Sequence, residues 1–187
     1  MKLEPTASQT VGPYLHIGFS WLASETVAAP DCPGEHLTLT GRVFDAEGKP
    51  IPDGVVEIWQ ANSHGKYAHP EDPQDKPQTP GFRGFGRIAT DKEGRYRFQT
   101  IKPGPVPDPE GGTQAPHILV SVMMRGLLKR VVTRVYFPDD PLNADDRVLR
   151  LVPVERRNTL IARRKDSRVL EWDILMQGPA ETVFFDC

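Results

Sequence analysis

Hydrophobic and polar positions alternate in short bursts along the chain, and stretches rich in Gly and Pro cut the bursts apart. A period of two marks a half-buried strand, because successive side chains of an extended chain point to opposite faces. Eight segments carry that pattern or a short apolar run rich in β-branched and aromatic residues: LTLTGRVFD (37–45), GVVEIWQA (54–61), GRIATD (86–91), RYRFQTI (95–101), HILVSVMM (117–124), VVTRVYF (131–137), NTLIAR (158–163) and VLEWDILM (169–176). Eight short strands with turn signals between them predict an all-β fold, an antiparallel β-sandwich. Two long connections, 62–85 and 102–116, are rich in Pro, Gly and Asp, and loops of that length in a compact domain tend to carry function or disorder. One short helix is expected within DPLNADDRVLRLVP (140–153), with Asn143 or Asp145 near its start.

The first 36 residues break the pattern. SQTVGPYLHIG places an apolar patch after a Gly-Pro turn, and PDCPG separates it from the first strand. The sequence thus predicts an N-terminal arm, 1–36, joined to a sandwich domain, 37–187. An arm with aromatic and apolar residues must bury them, either on its own sandwich or on a neighbour.

Composition narrows the partners. A chain of 187 residues, 38% of them hydrophobic, suffices for one well-formed core. Its 23 Lys and Arg balance 25 Asp and Glu to a net charge of −2, and no block of like charge exceeds RRK at 163–165. That balance argues against nucleic acid or an anionic membrane as the main partner. Cys32 and Cys187 lack any C-x-x-C spacing, which favours free thiols in a reducing compartment. MKLEPTASQT has no apolar signal-peptide core, and no stretch approaches bilayer-spanning length, so the expected location is cytoplasmic.

Candidate metal chemistry is sparse. His64 and His69 share a polar loop with Glu71 and Asp72, but no rigid element makes them converge. On a strand, His-x-His would aim two imidazoles at one ion, and here the second position is Leu119 beside His117. One imidazole next to a leucine does not hold a transition metal, so a half-buried, hydrogen-bonded His117 is expected. Phosphate loops, G-x-S-x-G and H-E-x-x-H motifs are absent. Arg134 lies on a strand face with Val132 and Tyr136, an awkward place for a guanidinium unless it meets an anion or a carboxylate.

VEIWQANSHGKY, GFGRIATDKEGRYRFQTIKPGPVP, APHILVSV and TRVYFPDDP, in that order, resemble the intradiol ring-cleaving dioxygenases. SQTVGPYLHIG and QGPAETVFFDC resemble the chain without iron in the two-chain members of that family. The resemblance implies a β-sandwich and non-haem Fe(III), held in iron-binding chains by two tyrosines, one after the WQAN strand and one in PGPYP, and by two histidines in HIH. At those positions this chain has Gln74, Val106, His117 and Leu119, and Gln114 stands near a position where catalytic chains carry an arginine. Loss of both phenolates removes the anionic ligands that favour a hard ferric ion. The resemblance therefore implies no catalytic or metal-binding residue here, Fe(III) on a homologous β subunit, and αβ units within a larger oligomer.

It further implies that the arm, 1–36, contacts that partner, and that Thr10, Gly12, Pro13 and Tyr14 line the substrate side of the partner's iron site. Arg134 would bind the substrate, protocatechuate, which O2 cleaves to 3-carboxy-cis,cis-muconate. Two other readings stay open: a sandwich serving only binding or assembly, and an independent dioxygenase with His64, His69 and His117 as unusual ligands.

Overall fold

The computed structural model describes residues 7–186. A short helix α1 (Pro13–Phe19) and a 3-10 turn (Ser20–Leu22) precede the strands β1 (His36–Phe44), β2 (Val55–Trp59), β3 (Phe85–Ala89), β4 (Arg95–Ile101), β5 (Val106–Pro107), β6 (Thr113–Gln114), β7 (His117–Met123) and β8 (Val131–Tyr136). After a second 3-10 turn (Pro141–Ala144), helix α2 (Arg147–Leu151) and a third 3-10 stretch (Val154–Leu160) lead to β9 (Arg163–Arg164), β10 (Val169–Glu171) and β11 (Ile174–Leu175).

The strands form two sheets and a ribbon. In the first sheet β1 is central, antiparallel to β4 and parallel to both β10 and β11, with β9 beyond β10. The second runs β3-β2-β7-β8, antiparallel throughout, and β5 pairs with β6 in the ribbon. Alternation decides which residues face inward: Leu37, Leu39 and Val43 of β1 meet Val56 and Ile58 of β2 and Ile118, Val120 and Val122 of β7 in one core. Burying each such side chain contributes about 1.5–3 kcal/mol. Gly41 is required on β1, since a Cβ there would lie 1.8 Å from the Trp172 carbonyl oxygen, which also accepts the Tyr96 hydroxyl at 2.5 Å.

Three expectations change. The sandwich begins well before residue 37: Ser24 bridges to Arg87 on β3 and Thr26 to Gln99 on β4, and Val27 is fully buried in the core. This segment spans the free edges of both sheets, which otherwise expose unpaired backbone groups. The first half of the strand expected at 158–163 is 3-10 helix, continuing the stretch that starts after Pro153, because a short apolar run such as TLI fits either state; extended pairing resumes at Ile161 and in β9 at Arg163. The strand expected at 169–176 is split, and its parallel pairing with β1 departs from a wholly antiparallel sandwich. The break falls at Trp172–Asp173, where the Asp173 carboxylate accepts the Arg42 backbone N–H at 3.0 Å.

Candidate functional site

The outer face of the second sheet positions the site. His117 and Leu119 lie on the face of β7 opposite the core; His117 is in register with Tyr136 on β8, and Leu119 lies between Trp59 on β2 and Arg134 on β8. Over this face fold the two long connections. Their meeting point is a glycine: a Cβ on Gly65, which has φ 77°, would sit 2.0 Å from the Pro105 carbonyl oxygen.

Polar side chains hold the first connection in shape. The Asn62 amide oxygen accepts the N–H groups of His64 and Lys66, and the Asp72 carboxylate accepts those of Tyr67 and Gln74. The buried Lys66 ammonium donates to the carbonyls of Asp72 and Gln74. Tyr67 is thereby stacked on Trp59, with ring centroids 5.8 Å apart and an interplanar angle of 7°, and His69 meets Trp59 edge-on. Between these rings and β5 opens a cavity of about 450 Å³, walled by Trp59, Tyr67, Pro73, Gln74, Val106 and Pro107.

The four positions matched to iron ligands carry no workable donor set. Gln74 turns its amide nitrogen to the Gly65 carbonyl (2.9 Å) and the Asp72 carboxylate (3.1 Å), while its oxygen is buried without a hydrogen-bond partner. Val106 and Leu119 supply hydrocarbon. His117 donates from Nδ1 to the Ala115 carbonyl at 2.8 Å, and burial, with Arg134 adding to it, lowers its pKa to about 4. It is a neutral imidazole near pH 7. One imidazole, the Tyr67 phenol on the cavity wall, whose pKa burial raises, and a neutral amide turned elsewhere fall short of the two phenolates and two imidazoles that hold a ferric ion in iron-binding chains. His64 and His69 do not join it, and among the described residues no group of three or more His, Cys, Asp or Glu could hold a metal.

The Arg134 guanidinium donates from Nη1 to the Gln114 amide oxygen, a neutral partner, at 2.7 Å. No carboxylate lies within salt-bridge distance of it among the described residues. Its charge is felt nearby, opposing the burial that raises the pKa of the Tyr67 phenol. Asp108, on the cavity rim, is held below the usual carboxylate range by the Glu110 N–H and then by Arg147, whose Nε reaches both carboxylate oxygens at 3.1 Å.

Behind His117 lies a hub that the sequence reading missed. The buried Asp146 carboxylate accepts Ala115 N–H at 2.8 Å, the Tyr136 hydroxyl at 3.0 Å and Leu149 N–H at 2.8 Å, the last capping α2. Its signal was the run NADD, within which the cap falls on Asp146 rather than on Asn143 or Asp145; Asp140 caps the preceding 3-10 turn.

The arm residues lie apart from this cavity. Thr10 Oγ1 accepts the Gly126 N–H at 2.9 Å, at the β7–β8 hairpin. Gly12 is extended, with φ −88° and ψ 177°, and Pro13 follows as the first helical residue, so Gly-Pro opens a helix here instead of a tight turn. Tyr14 is 80% exposed. The structure therefore brings Gln74 and Val106 together at the cavity and His117, Leu119 and Arg134 on the adjoining sheet face, and leaves Thr10, Gly12, Pro13 and Tyr14 elsewhere.

A sandwich of this topology with two long connections folded over a His-bearing strand defines the class: the chain belongs to the intradiol dioxygenase family, whose members are iron-dependent, and a family model described as Dioxygenase matches residues 21–178. It is 44% identical over 200 residues to the protocatechuate 3,4-dioxygenase alpha chain of Burkholderia cepacia, covering 98% of each chain. It is also 42% identical over 154 residues to the beta chain from the same organism, covering 78% of this chain and 66% of the other. Among solved structures, the dioxygenase domain of a dioxygenase carbohydrate-binding protein fusion from Streptomyces sp. SirexAA-E superposes with a TM-score of 0.62 at 26% identity, covering 82% of this chain and 86% of that one.

Proposed function

We propose that this chain is the alpha subunit of a protocatechuate 3,4-dioxygenase and works as half of an active site completed by a homologous beta subunit that holds Fe(III). The observation that carries the reading is the set Gln74, Val106 and Leu119 at positions matched to iron ligands, in a scaffold that covers 98% of a protocatechuate 3,4-dioxygenase alpha chain. A ferric ion held by the beta subunit would supply activation of the bound catechol toward O2, both atoms of which would enter between the hydroxyl-bearing carbons of protocatechuate to give 3-carboxy-cis,cis-muconate.

This chain shapes the pocket and excludes water from it. Gly12 has open space where a side chain would stand, so substrate can approach its backbone closely. Tyr14 offers an exposed ring and a hydroxyl. Thr10 keeps its hydroxyl proton available, since its oxygen only accepts from Gly126. For Arg134 the reading requires an exchange of the Gln114 amide for the substrate carboxylate, a stronger, charge-assisted partner. The buried free thiol of Cys32 suits a reducing cytoplasm.

Coexpression tests the reading. Ring cleavage of protocatechuate is expected only when this chain is produced with a beta chain, and removal of residues 1–16 from that assembly lowers turnover while both sandwiches stay folded. Full turnover after the deletion removes the arm from the pocket. In the same assembly Arg134→Ala raises KM for protocatechuate with iron content unchanged; an unaltered KM removes Arg134 from the substrate site.

A further inference from the structure

The turn between β7 and β8 concentrates positive charge. It reads RGLLKR over 125–130, with Arg125, Lys129 and Arg130 exposed and no acidic residue in the run, on a chain whose net charge is −2. Arg125 is answered within the fold, where the Asp53 carboxylate pairs with its guanidinium. Lys129 and Arg130 form no ion pair among the described residues. Asp186, which follows the Phe185 that bridges to Val132, is exposed and does not pair with them either. Two full charges are therefore left to solvent at one end of the second sheet.

The same turn is fastened to the arm. Gly126 donates its N–H to Thr10 Oγ1 at 2.9 Å. Three residue steps lead from Gly126 to Lys129, a reach of at most about 11 Å. Thr10 runs on through Gly12 and Pro13 to Tyr14, which is 80% exposed. In the proposed function these four residues line the substrate side of the pocket, so the cations stand beside its rim.

The molecule that passes this rim is charged. An aromatic carboxyl group is ionised near pH 7, so protocatechuate arrives as an anion, whereas a catechol without that group arrives neutral. Fixed charges of one sign at a pocket mouth raise the local concentration of a ligand of the opposite sign. We propose that Lys129 and Arg130 draw aromatic carboxylates to the pocket and favour them there over uncharged catechols. Their action is on capture, because exposed, hydrated cations attract over a Debye length without fixing the orientation of the ring. The inference deepens the proposed function and rests on it, since only a pocket wall made by the arm puts this hairpin beside the path of the substrate. Coulomb's law gives its size. In water of low salt a unit charge roughly 10 Å from a carboxylate about doubles the local concentration of that anion, so two give about fourfold. The rival use of the pair, contact with carboxylates of the beta chain, predicts weaker association instead.

The test uses the coexpressed assembly. In the double variant Lys129→Gln with Arg130→Gln, kcat/KM for protocatechuate should fall about fourfold at about 10 mM salt with kcat unchanged. The gap to the wild type should close by about 0.5 M salt, where screening removes the attraction. Reversal of both charges, Lys129→Glu with Arg130→Glu, should deepen the fall to about sixteenfold, and the charge-conserving pair Lys129→Arg with Arg130→Lys should match the wild type. An undiminished kcat/KM in the Gln variant at low salt, a fall that persists at high salt, or a fall carried by kcat overturns the inference and leaves the proposed function standing. Dissociation of the Gln variant on gel filtration overturns it as well, by assigning the two cations to the subunit interface. No ring cleavage by the wild-type assembly would overturn the proposed function itself, and this inference with it.

Discussion

At Leu119 a hydrocarbon side chain stands where strand geometry would let a second imidazole join His117. His117 is fixed by the Ala115 carbonyl and kept neutral by burial, its pKa falling to about 4. The consequence for stability has a definite sign. In the unfolded chain the ring titrates near 6.5, so above that pH both states are neutral and the group has no effect. As pH falls from about 6.5 to about 4 only the unfolded state takes up the proton, and up to about 3 kcal/mol of stability is lost. Urea midpoints of the wild type should therefore drop across that window more steeply than those of His117→Gln. Parallel curves would show that the native ring is not held neutral.

Elements meet at Asp146, which ties the end of the β6–β7 connection, the β8 residue Tyr136 and the first turn of α2 to one buried carboxylate. Asp146→Ala removes a helix cap and orphans buried donors, so a loss of about 2–5 kcal/mol is expected by urea unfolding. A loss below about 0.5 kcal/mol, the range of ordinary surface substitutions, would contradict the hub. This element scale also shows what the sequence could convey. The cores of β1, β2, β4, β7 and β8 were legible because pairs such as Leu37 and Leu39, Val56 and Ile58, Tyr96 and Phe98, Val120 and Val122, and Thr133 and Val135 recur at period two, an alternation that a 3.6-residue helix does not produce. The split of β10 from β11 was not, since it depends on Asp173 capturing the Arg42 N–H from a strand 131 positions away. Helix α1 was hidden because its cap, Gly12, makes no side-chain hydrogen bond. The empty donor set at Gln74, Val106 and Leu119 was legible only through the resemblance; spacing alone could speak of His117 and Leu119, and no local pattern links Gly65 to Pro105 or Arg134 to Gln114.

At the scale of the whole molecule the described residues form a sandwich that carries an arm with Tyr14, Ile17 and Trp21 exposed and a largely apolar cavity walled by Trp59 and Val106. Among the described residues no helix is long and apolar enough to cross a membrane, so neither surface belongs to a membrane-spanning helix. Under the proposed function a homologous beta chain covers the exposed arm and supplies the ferric ion. The most direct measurement is therefore the iron content of this chain purified alone, exposed to iron salts and desalted, beside that of the assembly coexpressed with a beta chain. The account predicts a colourless lone chain with no stoichiometric iron, and one ferric ion per αβ pair with a tyrosinate-to-iron absorption band. One iron retained per lone chain would contradict it.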